Sequence, residues 1–174
     1  MKSYNVNLLR SYNVSQQRKF SEPWQTKKPD NPTIASVFNE ASKQLTEQRG
    51  EPDFFYVNEA RKLLIIVENK DSITQHEGEM IDKNIPLYAV NGLLHYLSFV
   101  SDVAKMTSPV QAYLQGWCIV GIALSGDITS EYNHKISTFM VKEGTVRRLE
   151  IKEILHESDY IELFNSYDLE AITE

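Results

Sequence analysis

Gly50 to Ser72 reads GEPDFFYVNEARKLLIIVENKDS. Its five consecutive aliphatic residues, Leu63 to Val67, run straight into Glu68, Asn69 and Lys70. Such a run predicts a strand buried on both faces, as in the middle of a mixed sheet. Asp53 to Val57 predicts a second strand, and Asn58 to Arg61 the hairpin turn between the two. Strand side chains alternate, so Leu64, Ile66, Glu68 and Lys70 share a face, with Glu68 and Lys70 about 7 Å apart at Cα. Parity sends Asn69 to the other face. A tight turn centred between Glu59 and Ala60 sets Asp53 opposite Ile66 and makes Glu68 its diagonal neighbour.

Working outward, Ile34, Val37, Phe38, Ala41 and Leu45 fall on one face of a helix that starts after Thr33, its expected N-cap, and ends at Gly50. Residues 71–84 are polar and aperiodic. A long helix is expected from Pro86 to Lys105, its stripe running through Leu87, Val90, Leu94 and Leu97. QGWCIVGIALSGD predicts another buried strand, and KISTFMVKEGTVRRLEI two more around Glu143 and Gly144. The fold class is therefore α/β, a mixed sheet flanked by helices in the order α-β-β-α-β-β. Residues 1–33 read as an arm interrupted by Pro23, Pro29 and Pro32, which Tyr4, Tyr12, Phe20 and Trp24 can tack onto the body. Residues 34–157 form the main domain, and 158–174 a last short helix or linker. SYNV occurs twice in the arm, too little for a repeat architecture.

The bulk composition agrees with one domain. The chain has 174 residues, and its 41% hydrophobic content is enough for a packed core. No stretch is apolar enough to span a bilayer, and Met1 to Lys19 lacks a signal-peptide pattern. Cys118 is the single cysteine, which excludes an internal disulfide framework and places the chain in a reducing cytoplasm. A net charge of −6 argues against a self-sufficient nucleic-acid binder. Any such role needs a local basic patch, a metal ion or another module.

The chemistry lies at the strand end. Two converging carboxylates, Asp53 and Glu68, suit a hard divalent cation such as Mg²⁺. A lysine beside them, Lys70, can orient the attacking water or meet negative charge on a phosphate. Glu-x-Lys alone is an ordinary solvated strand exit and Pro-Asp an ordinary turn. Their combination with a hairpin and a preceding amphipathic helix points to a site.

EPDFFYV followed by LLIIVENK resembles the PD-(D/E)XK nuclease superfamily, most closely the amino-terminal nuclease domains of type I restriction subunits and of fused restriction–methylation enzymes. FNEASKQL is similar to the first helix of those domains, HEGEM with YAVNGLLHYLSF to the helix after the metal site, and GWCIVGIALSGD to the next core strand. The resemblance covers residues 34 to 145. It implies a restriction-endonuclease-like fold and a Mg²⁺-dependent endonuclease domain, with Mn²⁺ able to substitute. Asp53 and Glu68 would be metal ligands, Lys70 the catalytic lysine and Glu40 the helix glutamate that completes the acidic site. Asn69 departs from the small or apolar residue common between Glu and Lys. The implied partners are DNA, methyltransferase and specificity modules outside this chain, and a second copy on DNA when both strands are cut. The alternative is a catalytically silent nuclease fold serving binding or assembly.

Other polar residues are weaker candidates. His76, which follows the site with Glu77, and Tyr88 and Asn91, which share a helical face with His95, are candidate substrate contacts. The bland alternatives are a surface loop for His76 and satisfied boundary residues for the others. His134 and His156 have no zinc spacing, Cys118 reads as core, and Ser125-Gly126-Asp127 as a turn. Arg18-Lys19, Lys27-Lys28 and Arg147-Arg148 are small basic clusters, each more ordinary as a solubilising feature.

Overall fold

The structure is a computed structural model that describes residues 19–26, 29–43, 52–127 and 133–166. In chain order its elements are β1 (Trp24–Thr26), α1 (Pro32–Lys43), β2 (Phe54–Asn58), β3 (Leu63–Lys70), α2 (Ala89–Ser101), α3 (Ser108–Leu114), β4 (Cys118–Gly126), β5 (His134–Lys142), β6 (Thr145–Leu149) and α4 (Glu157–Ser166). Short 3-10 turns occupy Ile73–Gln75, Asp82–Asn84 and Val103–Lys105.

The strands form one six-stranded sheet in the order β1-β2-β3-β4-β5-β6. β3 and β4 pair in parallel, and every other neighbouring pair is antiparallel. The expected mixed sheet with flanking helices is thus what the chain forms. The LLIIV run is oily on both sides because both sides are covered. Leu64 and Ile66 pack with Ile34, Phe38, Leu93 and Leu97 beneath α1 and α2. Leu63, Ile65 and Val67 pack with Phe20, Trp24 and Tyr160 on the α4 side.

Several elements differ from their sequence reading. Asn31, not Thr33, caps α1: its Oδ1 accepts the amides of Thr33 and Ile34 at 3.0 and 3.1 Å, with Pro32 in the first helical position. α2 begins at Ala89 rather than Pro86, because its would-be first turn is used elsewhere. The Val90 amide donates to the His76 carbonyl at 2.8 Å, and the Pro86 carbonyl accepts from Lys70 Nζ at 2.8 Å. Leu87, expected on the apolar stripe, lies before the helix and is 51% exposed. The helix stops at Ser101, with Val103–Lys105 turning separately.

β1 and α3 enlarge the expected order, and α4 (Glu157–Ser166) stands where the sequence offers a last short helix or a linker. Trp24 and Phe20 do tack the arm onto the body: both are buried, with ring centroids 4.9 Å apart. Tyr4, Tyr12, Arg18, Lys27, Lys28, Leu45, Gly50 and both SYNV copies lie outside the described residues. Lys19 is described, and its Nζ donates to the Ile154 carbonyl at 2.6 Å.

The hairpin register also differs. Asn58 pairs with Leu63 across a four-residue connection, Glu59 to Lys62, with Lys62 at φ 52°. The Asn58 side chain accepts the Arg61 amide at 3.1 Å, which stabilises the longer turn. Phe55 therefore faces Ile66, and Phe54 faces Val67. The expected opposition of Asp53 and Ile66 does not occur. The shift is by two residues, so Leu64 and Ile66 keep their face.

Candidate active site

β3 and β4 run in parallel and end together, so their last residues and the start of β5 make one strand-end surface. The pairings Glu68↔Ala123 and Lys70↔Ser125, continued by Ala123↔Ser137 and Ser125↔Lys135, place Glu68, Lys70, Ser125, Lys135 and Ser137 on the α1/α2 face.

Glu68 is buried at 6% exposure. Its carboxylate lies 3.7 Å from Lys70 Nζ. α2 makes room for it with Gly92, where a Cβ atom would stand 3.4 Å from Glu68 Cγ and 3.0 Å from the Ile85 carbonyl. Lys70 is half-buried and is aimed by the Pro86 carbonyl. Asp53 continues past the end of the β2 ladder. Its amide donates to the Val67 carbonyl at 3.0 Å, and its Oδ2 accepts the Asn69 amide at 2.7 Å. Asp53, Glu68 and Lys70 thus lie at one strand end, with Glu68 beside Lys70 and Asp53 held to the residues on either side of Glu68. Asn69 is fully buried on the opposite face, as parity requires.

Among the described residues no three His, Cys, Asp or Glu side chains converge as a metal-holding group. Glu40 is exposed on α1 and does not make a third carboxylate with Asp53 and Glu68. His134 and His156 belong to no such group either. Two carboxylates still suit Mg²⁺, which keeps several waters and takes its remaining oxygens from substrate phosphates.

The candidate substrate contacts are placed differently from their expected roles. His76 is buried, hydrogen-bonded through Nδ1 to Ser125 Oγ at 2.6 Å and through Nε2 to Ser137 Oγ at 2.7 Å. Burial, with smaller contributions from nearby Lys135 and Arg148, pushes its pKa down to about 4, so the ring is neutral at pH 7. Asn91 is buried too. It accepts the Gly78 amide and donates to the Gly78 and Glu79 carbonyls at 3.3 and 3.0 Å, holding that loop against α2. The Tyr88 ring lies against Gly78. His95 reaches the Ala41 carbonyl at 3.2 Å. The His76, Asn91 and Tyr88 contacts fasten residues 76–88 over the strand ends, while His95 ties α2 to α1; the segment's Pro86 carbonyl is what Lys70 meets.

Ser125, Ser137 and Arg148 are the residues sequence reading missed here. Ser125 belongs to β4 instead of a turn. Arg148 donates through Nη2 to Ser137 Oγ at 2.9 Å and through Nη1 to both Glu77 oxygens at 2.9 and 3.1 Å. Cys118 is core, its thiol pushed up to about 12 by burial, and no nucleophile.

Comparisons found no matching family model, no matching curated protein and no matching solved structure. No helix among the described residues is long and apolar enough to cross a membrane.

Proposed function

We propose that this chain is a metal-dependent endonuclease domain that hydrolyses DNA phosphodiesters at the β3 end. Asp53 and Glu68 hold Mg²⁺ or Mn²⁺, and Lys70 meets the phosphate. The observation that carries this reading is the buried Glu68 carboxylate 3.7 Å from the Lys70 ammonium, with Asp53 fastened to both neighbours of Glu68. Burying such a pair is costly, and a pair this desolvated is a poor way to gain stability. A strand-end carboxylate, a second carboxylate beside it and an aimed ammonium are what phosphoryl chemistry needs from a protein.

A cation bound there supplies a water of lowered pKa and charge stabilisation. The protein's share is positional. Gly92 leaves the space that Glu68 fills, and the Pro86 carbonyl aims Lys70. Water adds to phosphorus, the bond to the leaving deoxyribose oxygen breaks, and that oxygen gains a proton. The restriction–modification setting, with methyltransferase and specificity modules, rests on the sequence resemblance alone, and a cytoplasmic location on the single cysteine. Glu40 has no part in the proposed donor set.

A catalytically silent binding module is the second reading. It is favoured by the structural duties of the same groups: Asp53 Oδ2 serves the Asn69 amide and Lys70 Nζ the Pro86 carbonyl. Cleavage of supercoiled plasmid with Mn²⁺ separates the two. Nicked or linear product from the native chain, lost in Lys70→Ala, supports the nuclease; equal activity in both removes Lys70 from the mechanism. Absence of cleavage, with no Mn²⁺ or Mg²⁺ binding dependent on Asp53 and Glu68 by calorimetry, leaves the silent module.

A further inference from the structure

A chain with net charge −6 needs a local surface on which to meet a polyanion. The sheet register supplies one. Lys70, Ser125 and Lys135 form one row across β3, β4 and β5, and Lys135 is exposed. Lys70 and Lys135 are two strands apart, about 10 Å at the backbone. In the row of Ile66 and Gly121 stands Phe139, and opposite Phe139 on β6 is Arg148. The Arg148 guanidinium lies 5.4 Å from the Phe139 ring centroid, is held by Ser137, and is half exposed. The fork is held in place, and a guanidinium fork donates to carboxylate and phosphate with the same geometry. Its present partner is the Glu77 carboxylate, also on the surface. An exposed pair of this kind is worth little and is readily exchanged.

We propose that Arg148 and Lys135 bind the phosphodiester backbone of a nucleic acid, and that the Glu77 carboxylate holds the Arg148 fork until a phosphate displaces it. This rests on the nuclease reading for its substrate class, and extends the site from the β3 end across the sheet to β6. His76 is the floor of the track: it grips Ser125 and Ser137 beneath Lys135 and Arg148 and stays neutral between them.

The test is fluorescence anisotropy of a labelled DNA duplex in EDTA, over a range of salt, with circular dichroism of each variant. Arg148→Gln and Lys135→Gln are each expected to weaken binding about tenfold and to reduce the slope of log affinity against log salt by roughly one. Glu77→Gln should tighten binding severalfold, and that gain should vanish in the Glu77→Gln/Arg148→Gln double variant. Native affinity and slope in Lys135→Gln and Arg148→Gln overturn the proposal. So does a Glu77→Gln gain that persists without Arg148, which marks nonspecific charge removal. Full displacement of the duplex by millimolar inorganic phosphate overturns the nucleic-acid assignment in favour of a small phosphate ligand. EDTA keeps catalysis out of the readout. Binding with this pattern but an intact plasmid retains the track and removes the nuclease, whereas cleavage with native binding in every variant does the reverse.

Discussion

Asp53 holds the two residues that flank Glu68, donating its amide to the Val67 carbonyl and accepting the Asn69 amide on Oδ2. One carboxylate thereby sets the backbone that presents the other. Its structural and chemical duties separate by substitution. Asp53→Asn keeps an oxygen for the Asn69 amide and should cost less than about 1 kcal/mol in urea unfolding, whereas Asp53→Ala should cost about 1.5–3 kcal/mol. Both should lose Mn²⁺ binding by calorimetry. Native Mn²⁺ affinity in Asp53→Asn would remove this residue from the donor set.

Gly92 links helix packing to the site. Alanine there gains about 1 kcal/mol of helix propensity, but its Cβ presses on the Ile85 carbonyl and the Glu68 side chain. We expect Gly92→Ala to unfold within about 1 kcal/mol of the native chain while metal binding and plasmid cleavage fall. Stability with full activity would show that Glu68 has slack.

His76 makes stability depend on pH with a definite sign. Its folded pKa, about 4, lies below the ordinary 6.5, so the unfolded chain binds the extra proton between those values. The contribution is fully present above pH 6.5, is lost as pH falls towards 4, and reaches about 3 kcal/mol. His95 shifts the same way, chiefly through burial. Urea unfolding at pH 7 and pH 5 should therefore show a loss in the native chain that is clearly smaller in His76→Asn. Parallel losses in both would place the pH sensitivity elsewhere. His76→Asn should itself cost about 2–4 kcal/mol at pH 7, since two buried serines lose a partner.

Glu157 is the corresponding anchor on the α4 face. Burial raises its pKa, but hydrogen bonds from Tyr56, Ser21 and Asn58 outweigh that and hold it below the usual glutamate value. Glu157→Gln sets a donor against those donors and should cost about 1–3 kcal/mol. Protease cleavage near residues 19–26 should quicken in step, as read by mass spectrometry of the fragments. An unchanged cleavage pattern would mean that β1 is held by its sheet pairing alone.

The fold was legible where a local pattern spans a whole element. LLIIVENK announces a strand covered on both sides, and Glu143 and Gly144 announce a hairpin, which they form with φ of 53° and 76°. β1 has three residues and α3 seven, too short for periodicity to register. The start of α2 was misread because Pro86 suits a first turn, while the partners that divert that turn, Lys70 and His76, lie ten or more positions upstream. Strand parity correctly separated Asn69 from Glu68 and Lys70. The hairpin register slipped because the device that selects the four-residue turn, the Asn58 side chain accepting the Arg61 amide, is one of several turn uses open to an asparagine. The His76 network is invisible in sequence: Ser125 and Ser137 are 49 and 61 positions away and come together only through sheet pairing.

The Ser21–Glu157 bond joins positions 136 residues apart. A ribosome delivers β1 early, yet the carboxylate that fastens its approach arrives only after every described strand has been made. Phe20 and Trp24 share their core cluster with Tyr160, which is made later still. Among the described residues this edge therefore closes over a long loop late in synthesis, and the emerging chain carries a partly covered aromatic pair until then. The α1/α2 face of β3 lies on the other side of the sheet, and its partners Ile34, Phe38, Leu93 and Leu97 all precede Glu157 in the chain.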